Sequence, residues 1–593
     1  MKRFLSLILA LVMCASLFVF AEAEDGYNAV NCKITNLGIP TSKIITVGGG
    51  YDYARSVWDI TAYEGRIYIG SGDYNTNSGS HYGRSNIWCY LPSSGKWDME
   101  KNVPEEAINR FRLIDGDLCF VGMDAMSNSQ YENYFRYNRA TKKWATKHVL
   151  PNFVMHNFDL LQSSDGTVFA GLGTNDGDCD SMAVSYDGGE TFVNVPFRRD
   201  GHVLVDSDVT DGGKYPKEIY CRTYNVFEYK GNVYATWVAY CETSAGTALC
   251  NSLNSKFSGL YIWNKEERVF DFYCGDCPYN MLRDGFATGF KVIFNDKLIF
   301  VKNYPFIMSD DLKSYTVSAS SQFGTATCAR VAGGLLYISF YKYDDSAKTY
   351  VNKLYSTYDL ENFREVCSFE FSSPVSSFCL SDGYIYAGTG GQNTAEARPT
   401  LGTVFRIDTG RFSDVKPGKW YNSAVDYVCD NSLMSGTSKT TFSPELASSR
   451  AMLVKVLFNN EKGLEISGEN PFADVPEGEW YTDAVKWAYE NKIVAGKTET
   501  EFAPNESITR EQFASILYRY ALYKGYDVSA KSDSMEKFSD YKSSSDYAKP
   551  ALSWANAKGY ITGMSETVLS PRTGATRAQM ASILKRFKTD NPE

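Results

Sequence analysis

The pattern of apolar and polar positions changes once along the chain. Between residues 57 and 410 apolar side chains alternate with polar ones in short runs; from 412 they recur at helical spacing. Alternation places neighbours on opposite faces of a strand, and a three-to-four repeat places them on one face of a helix. The alternating region repeats one unit, in which a run ends on a two-residue turn and a second run returns. The turns are Glu64-Gly65, Asp115-Gly116, Asp165-Gly166, Lys230-Gly231, Asn295-Asp296, Gly333-Gly334 and Asp382-Gly383. Such pairs between alternating runs predict hairpins. A second strand pair ending in an aromatic follows, as in Ile87 to Trp97, Tyr134 to Trp144, Gly259 to Phe270 and Leu354 to Phe363. Four short strands in each of seven units predict an all-β seven-bladed propeller, because one blade alone cannot cover both its faces. Ala29 to Ile39 is expected to add a strand to the last blade and close the ring.

Aligned on their turns, the innermost strands place Ile60, Phe111, Val226, Val292, Ala329 and Phe378 at one position. The preceding residues are Asp59, Arg110, Asn225, Lys291, Cys328 and Ser377, with His156-Asn157 nearest in the third unit. Alternation would turn these side chains into a central channel, either water-filled or a binding site. With Arg110 and Lys291 facing inward, a carboxylate-bearing glycan is the expected guest.

Ser185-Tyr-Asp187-Gly-Gly189-Glu-Thr191-Phe192 resembles the Asp-box of propeller families such as the sialidases, with degenerate copies at Ser309 to Tyr315 and Thr357 to Phe363. The resemblance implies a structural turn, its Asp on backbone groups and its aromatic between blades. A likeness to kelch propellers rests on a few paired glycines. Sialidase chemistry would need an arginine cluster and a Tyr nucleophile with an acidic partner, and no Phe-Arg-Ile-Pro stretch stands near the first unit.

Beyond 411 three units open on Phe412-Ser-Asp414, Phe472-Ala-Asp474 and Phe538-Ser-Asp540, followed by Trp420-Tyr421, Trp480-Tyr481 and Asp546-Tyr547. One spacing then recurs: Gly436, Phe442, Pro444, Arg450; Gly496, Phe502, Pro504, Arg510; Gly563, Leu569, Pro571, Arg577. The Gly suits a helix C-terminus and the Pro an extended turn. Thr509 with Gln512, and Thr576 with Gln579, read as capping boxes of the next helix. Each Arg falls in that helix's first turn, where outward backbone N–H groups would complete an anion site. These units resemble S-layer homology repeats, whose signature sets an Ile-Thr-Arg-Ala-Glu type sequence after Phe-x-Pro; here it reads Ile508 to Gln512 and Ala575 to Gln579. Ser448 to Met452 lacks the Thr and the Gln, so the first groove is expected to be weaker. The resemblance implies a helical three-pronged module holding secondary cell-wall polysaccharide, often pyruvylated, between repeats. It also implies Arg450, Arg510 and Arg577 as ligand-facing residues. The competing reading pairs each Arg with a helix carboxylate.

Composition and local motifs change the picture in five places. A net charge of -10 leaves no broad basic face and argues against nucleic acid. Lys2 and Arg3, the apolar run Phe4 to Phe20 and Ala21-Glu22-Ala23 predict a secretory signal peptide over 1–23, with no later run fit to span a bilayer. Cys14 would leave with that peptide, and the 13 remaining cysteines cannot all pair within one chain. Cys89, Cys119, Cys328 and Cys379 read as core, while Cys274-Gly-Asp-Cys277 leaves a disulfide, a metal role and plain thiols open. Asp176, Asp178 and Asp180 resemble the start of a Ca²⁺ loop, but Ser181 replaces the expected Gly, which favours a solvated acidic loop. The four histidines, His81, His148, His156 and His202, lack metal-ligand spacing, and no other cofactor is expected.

The expected protein is therefore multidomain: signal peptide 1–23, propeller 24–410, and S-layer homology repeats 411–467, 468–532 and 533–593. It would be secreted and held non-covalently at a bacterial wall, its propeller binding a glycan, peptide or protein. The alternatives are a surface polysaccharide hydrolase or lyase, and a structural coat component.

Overall fold

The computed structural model describes residues 32–43, 56–72, 85–103, 105–125, 133–150, 154–174, 179–209, 219–241, 257–275, 290–390, 400–438, 440–461, 466, 469–533 and 535–592. The chain forms two compact units, Met1–Ala332 with Leu336–Thr409, and Gly333–Leu335 with Gly410–Glu593. Among the described residues no helix is long and apolar enough to cross a membrane. The expected signal peptide lies outside them.

The first unit is a propeller-like array of antiparallel meanders. Its hairpins turn where the dipeptides stand: Glu64, Asp115, Lys230, Asn295 and Asp382 adopt φ of 46 to 50°, and Gly65, Gly116, Gly231 and Gly383 follow at positive φ. Two successive left-handed residues match the strand twist, which is why Gly follows. The described strands make five hydrogen-bonded sheets, not the seven expected. Four are four-stranded, with innermost strands Val57–Tyr63, Phe290–Phe294, Thr325–Ala332 and Val375–Ser381. The fifth has 14 strands, because the meanders opening at Glu105–Ile114, Val154–Gln162 and Ile219–Tyr229 are fused edge to edge. Met123 pairs with His156, and Gly173 and Thr174 pair with Arg222 and Cys221. Glycine permits this approach: a Cβ on Gly171 would lie 2.5 Å from the Thr223 carbonyl oxygen. The strand Cys32–Asn36 pairs with Val404–Thr409 and supplies the outer strand of the last sheet.

Aromatic layers fill the space between sheets. Phe120 stacks on Phe135 with centroids 4.7 Å apart, and Tyr68, Tyr137 and Trp144 pack around them. At 185–192 the turn is tied by side chains. Asp187 Oδ1 accepts from Ser185 Oγ at 2.7 Å and Thr191 N at 2.9 Å, and Phe192 meets Tyr134 edge-on at 6.0 Å. Ser309 with Asp311, and Thr357 with Asp359, repeat the hydroxyl–carboxylate tie.

The second unit contains three helix pairs: α1 (Asn422–Asp430) and α2 (Arg450–Asn459), α3 (Thr482–Glu490) and α4 (Arg510–Tyr523), α5 (Lys549–Ala557) and α6 (Arg577–Asp590). The pairs exchange partners cyclically: α2 packs on α3, α4 on α5 and α6 on α1. All three long helices open on capping boxes, including Ser449, whose Oγ accepts from Met452 N while Met452 Sδ accepts from Ser449 N. The first repeat therefore keeps its cap with different residues.

The repeated glycines do not end helices as the spacing suggested. A Cβ on Gly436, Gly496 or Gly563 would meet the carbonyl oxygen of Ser438, Thr498 or Ser565 at 2.4, 2.1 and 2.1 Å, so close backbone approach demands Gly there. The left-handed residues just past α1, α3 and α5 are Ser432, Lys492 and Gly559, at φ 56, 59 and 71°. A side chain there is strained and glycine is not. Ser432→Gly and Lys492→Gly are each expected to stabilise this unit by about 1 kcal/mol, read from the shift in its urea midpoint.

Candidate functional site

In the first unit a cavity of about 500 Å³ opens among the innermost strands. Asp59, Arg110 and Lys291 line it, with Arg112, Phe290 and Arg330. Asn225 does not; it is buried beside the cavity, accepting from Lys291 Nζ at 2.9 Å. Cys328 and Ser377 also fall outside the lining and are fully buried against each other, Sγ to Oγ 3.7 Å. His156 and Asn157 are buried too, and the equivalent position in that strand is Asp159.

Backbone irregularity explains both the site and the misreading. A register shift occurs just before Asp59, Asp159, Asn225 and Ser377, and another between Ile108 and Phe111. A bulge re-aims the side chain after it. The third strand carries a second shift, between Val154 and His156, which displaces simple alternation.

Asp59 and Asp159 play one geometric part. Asp59 Oδ2 accepts from Phe111 N at 2.9 Å, and Asp159 Oδ2 from Val226 N at 3.2 Å, each tying its strand to the next meander. Their Oδ1 atoms take the following backbone N–H, of Ile60 at 2.9 Å and Leu160 at 3.1 Å. Each carboxylate also holds a cation: Arg330 Nη2 lies 2.5 Å from Asp59, while Arg112 Nη2 and Lys291 Nζ lie 2.6 and 2.7 Å from Asp159. Burial alone would raise the Asp159 carboxyl, but Arg112, then Lys291 and Arg110, outweigh it and hold it at about 2. Arg110 and Arg330 both lie over the Phe290 ring, 5.1 and 4.6 Å from its centroid. Arg110, Arg112, Arg330 and Lys291 thus stand with Asp59 and Glu228 in the lining, while Asp159 is buried beside Lys291, whose ammonium group burial pulls down to about 7 against the attraction of Asp159.

Sequence reasoning missed Arg112, Arg330 and Asp159. Arg112 and Arg330 stand two residues beyond Arg110 and Cys328, so a second tier of the same alternation marked them. The doubled register shift hid Asp159.

The second unit places Arg450, Arg510 and Arg577 at equivalent sites, each only 5 to 7% exposed at the first position of α2, α4 and α6. Each reaches into the next repeat. Arg450 Nε donates to Phe502 O at 2.9 Å and Nη2 to Ala495 O at 3.1 Å; Arg510 takes Leu569 O at 3.0 Å and Thr562 O at 2.5 Å; Arg577 takes Phe442 O at 2.8 Å and Ser435 O at 2.6 Å. Repeat one holds two, two holds three, and three holds one. The same turns are fixed from behind: Asp414 accepts from Phe442 N and Ser443 N, Asp474 from Phe502 N and Ala503 N, and Asp540 from Leu569 N and Ser570 N.

The helix-start N–H groups are not the open donors expected. Arg450 N donates to Glu506 O, Arg510 N to Thr573 O and Arg577 N to Leu446 O, and the next N–H of each helix donates to the proline carbonyl of the following repeat. Burial pulls all three guanidinium groups below the usual arginine range. Among the described residues no carboxylate lies within ion-pair distance of them, and the third nitrogen, Nη1, takes no hydrogen bond. Of the acidic loop weighed as a weak Ca²⁺ candidate, Asp176 and Asp178 lie outside the described residues, and Asp180 is half-buried. Cys277 also lies outside them.

A family description, the S-layer homology domain, matches residues 411–451, 471–514 and 537–581. The chain therefore carries three S-layer homology domains. An endoglucanase of Bacillus sp. (strain KSM-635) is 35% identical over 174 residues, 29% of this chain and 18% of that protein. The surface-layer 125 kDa protein of Lysinibacillus sphaericus is 32% identical over 166 residues, 28% of this chain and 14% of that one. A cellulosome-anchoring protein of Acetivibrio thermocellus is 26% identical over 155 residues, 26% of this chain and 34% of that one. The chain thus spans about a third or less of these relatives. The domains and these relatives place the protein at the bacterial cell surface or in the cell wall.

Proposed function

We propose that the three S-layer homology domains hold the protein non-covalently on secondary cell-wall polysaccharide, while the propeller-like unit presents a recognition site. The observation that carries this reading is the cyclic use of Arg450, Arg510 and Arg577. Each spends Nε and Nη2 on ordering the next repeat's turn and keeps Nη1 for a guest. An acidic sugar, such as a pyruvylated one, suits a guanidinium edge in a buried setting. The full chain is expected to sediment with purified wall polymer, and more weakly after mild acid has removed pyruvate ketals. Equal recovery with and without polymer would end the anchoring proposal.

For the first unit the cation excess of the cavity supports a guest bearing a carboxylate, a uronic or sialic type of glycan, with Arg110 and Arg330 flanking Phe290. Recognition suits this cavity better than hydrolysis. A glycosidase needs one carboxyl free to give a proton and another free to attack or activate water. Asp59 and Asp159 instead spend both oxygens on strand N–H groups and cations, and Glu228 holds Ser164. An acidic-glycan screen on the full chain is expected to score binding without cleavage, with at least a tenfold loss in Arg110→Ala.

A further inference from the structure

We propose that Cys32 and Cys367 are joined by a disulfide that staples the first strand of the propeller-like unit to the neighbouring sheet. Cys32 opens the strand Cys32–Asn36, whose ladder among the described residues is to Val404–Thr409 alone. Its pairing partner is Thr409. Thr409 Oγ1 donates at 2.8 Å to the carbonyl of Val366, the residue before Cys367. Cys367 lies in Arg364–Phe371, the outer strand of the adjacent sheet, and packs against the first strand. Both side chains are buried and are free thiols in this structure, and their strands pack directly on one another. No ladder hydrogen bond joins these two strands.

A bond here has a mechanical meaning. The first strand sits at a sheet edge, held by a single ladder, and its departure would open that edge. Cross-linking residues far apart in the chain constrains the unfolded state more than a short loop would. Bond formation removes two protons and two electrons from the pair; a low-molecular-weight disulfide takes both and leaves as two thiols. The cell surface is the oxidising side on which such bonds persist. The neighbouring Cys32 thiol and then burial push the Cys367 thiol well up, so exchange in the folded protein is slow. The bond therefore forms as the strand docks and then resists reduction. This inference does not depend on the ligand of either unit.

The test is a peptide map. Full-length protein is refolded in a glutathione redox buffer, alkylated in denaturant and digested without reductant. A Cys32–Cys367 linked peptide is expected, together with a melting temperature that falls on reduction in the wild type and stays put in Cys32→Ser. Recovery of both residues as alkylated free thiols from folded, oxidised protein would overturn the proposal, as would either one paired elsewhere. The map needs only the wild-type chain, so a variant that fails to fold leaves it decisive.

Discussion

Asp159→Ala is expected to cost the propeller-like unit about 3–5 kcal/mol, the usual cost of breaking a buried charge pair from one side. The carboxylate is about 1% exposed and serves four donors. Its removal strands Lys291, itself 8% exposed, and takes the acceptor from Val226 N, the tie to the next meander. A loss of that size is a large fraction of a domain's stability, so the variant should unfold at much lower urea. Asp159→Asn keeps an acceptor but not the charge and should fall between. Because Asp159 is held near 2 against the usual 3.8, and burial pulls Lys291 down to about 7, the pair's contribution is complete between about pH 4 and 6 and fades as pH drops toward 2. Urea midpoints at pH 6, 4 and 2.5 check this: the wild type should converge on the Asp159→Asn variant at the acid end. Parallel curves across that range would show that the ion pair contributes nothing.

Asp59 makes the same strand tie with Arg330 as its cation. The repetition explains what could be read ahead of the structure. Turns were legible because two left-handed residues demand Gly or Asn chemistry at Glu64-Gly65, Asp115-Gly116 and Asp382-Gly383. The cavity's Asp59 and Arg110 were legible because alternation survives the bulge in their strands, and Lys291 because its strand has an unbroken register. Asp159 was not, since two register shifts within Val154–Gln162 return the pattern to a phase that His156 and Asn157 mimic. The count of sheets was also beyond reach: whether neighbouring meanders fuse depends on backbone approach at Gly173 and Met123, which no periodicity encodes. In the second unit the spacing from Gly to Arg marked a repeated structural position for a different reason. Gly436 and its equivalents yield to a carbonyl, and the arginines turn inward across a repeat boundary.

That inward turn sets the second large effect. Arg577→Ala removes two charge-assisted hydrogen bonds, to Phe442 O and Ser435 O, and the guanidinium packed 4.6 Å from the Phe442 centroid. Bonds to charged groups contribute about 1.5–3 kcal/mol each, so a loss of about 3 kcal/mol is expected from each arginine. Three such losses, about 9 kcal/mol, are comparable with the whole of the roughly 5–15 kcal/mol that holds a domain folded, and the triple variant should leave the second unit largely unfolded and unable to sediment with wall polymer. Lysine separates shape from charge. Arg577→Lys keeps a cation but has one nitrogen where the site uses a planar fork. If the arginine mainly orders the turn, Arg577→Lys should lower stability almost as far as alanine, and polymer binding should return when the turn is stabilised by Ser432→Gly. If Nη1 also grips an acidic sugar, the folded lysine variant should still bind at least tenfold more weakly than wild type. Polymer binding of folded Arg577→Lys equal to wild type would leave the ring of arginines as a clamp between repeats, with the sugar held by other groups of the groove.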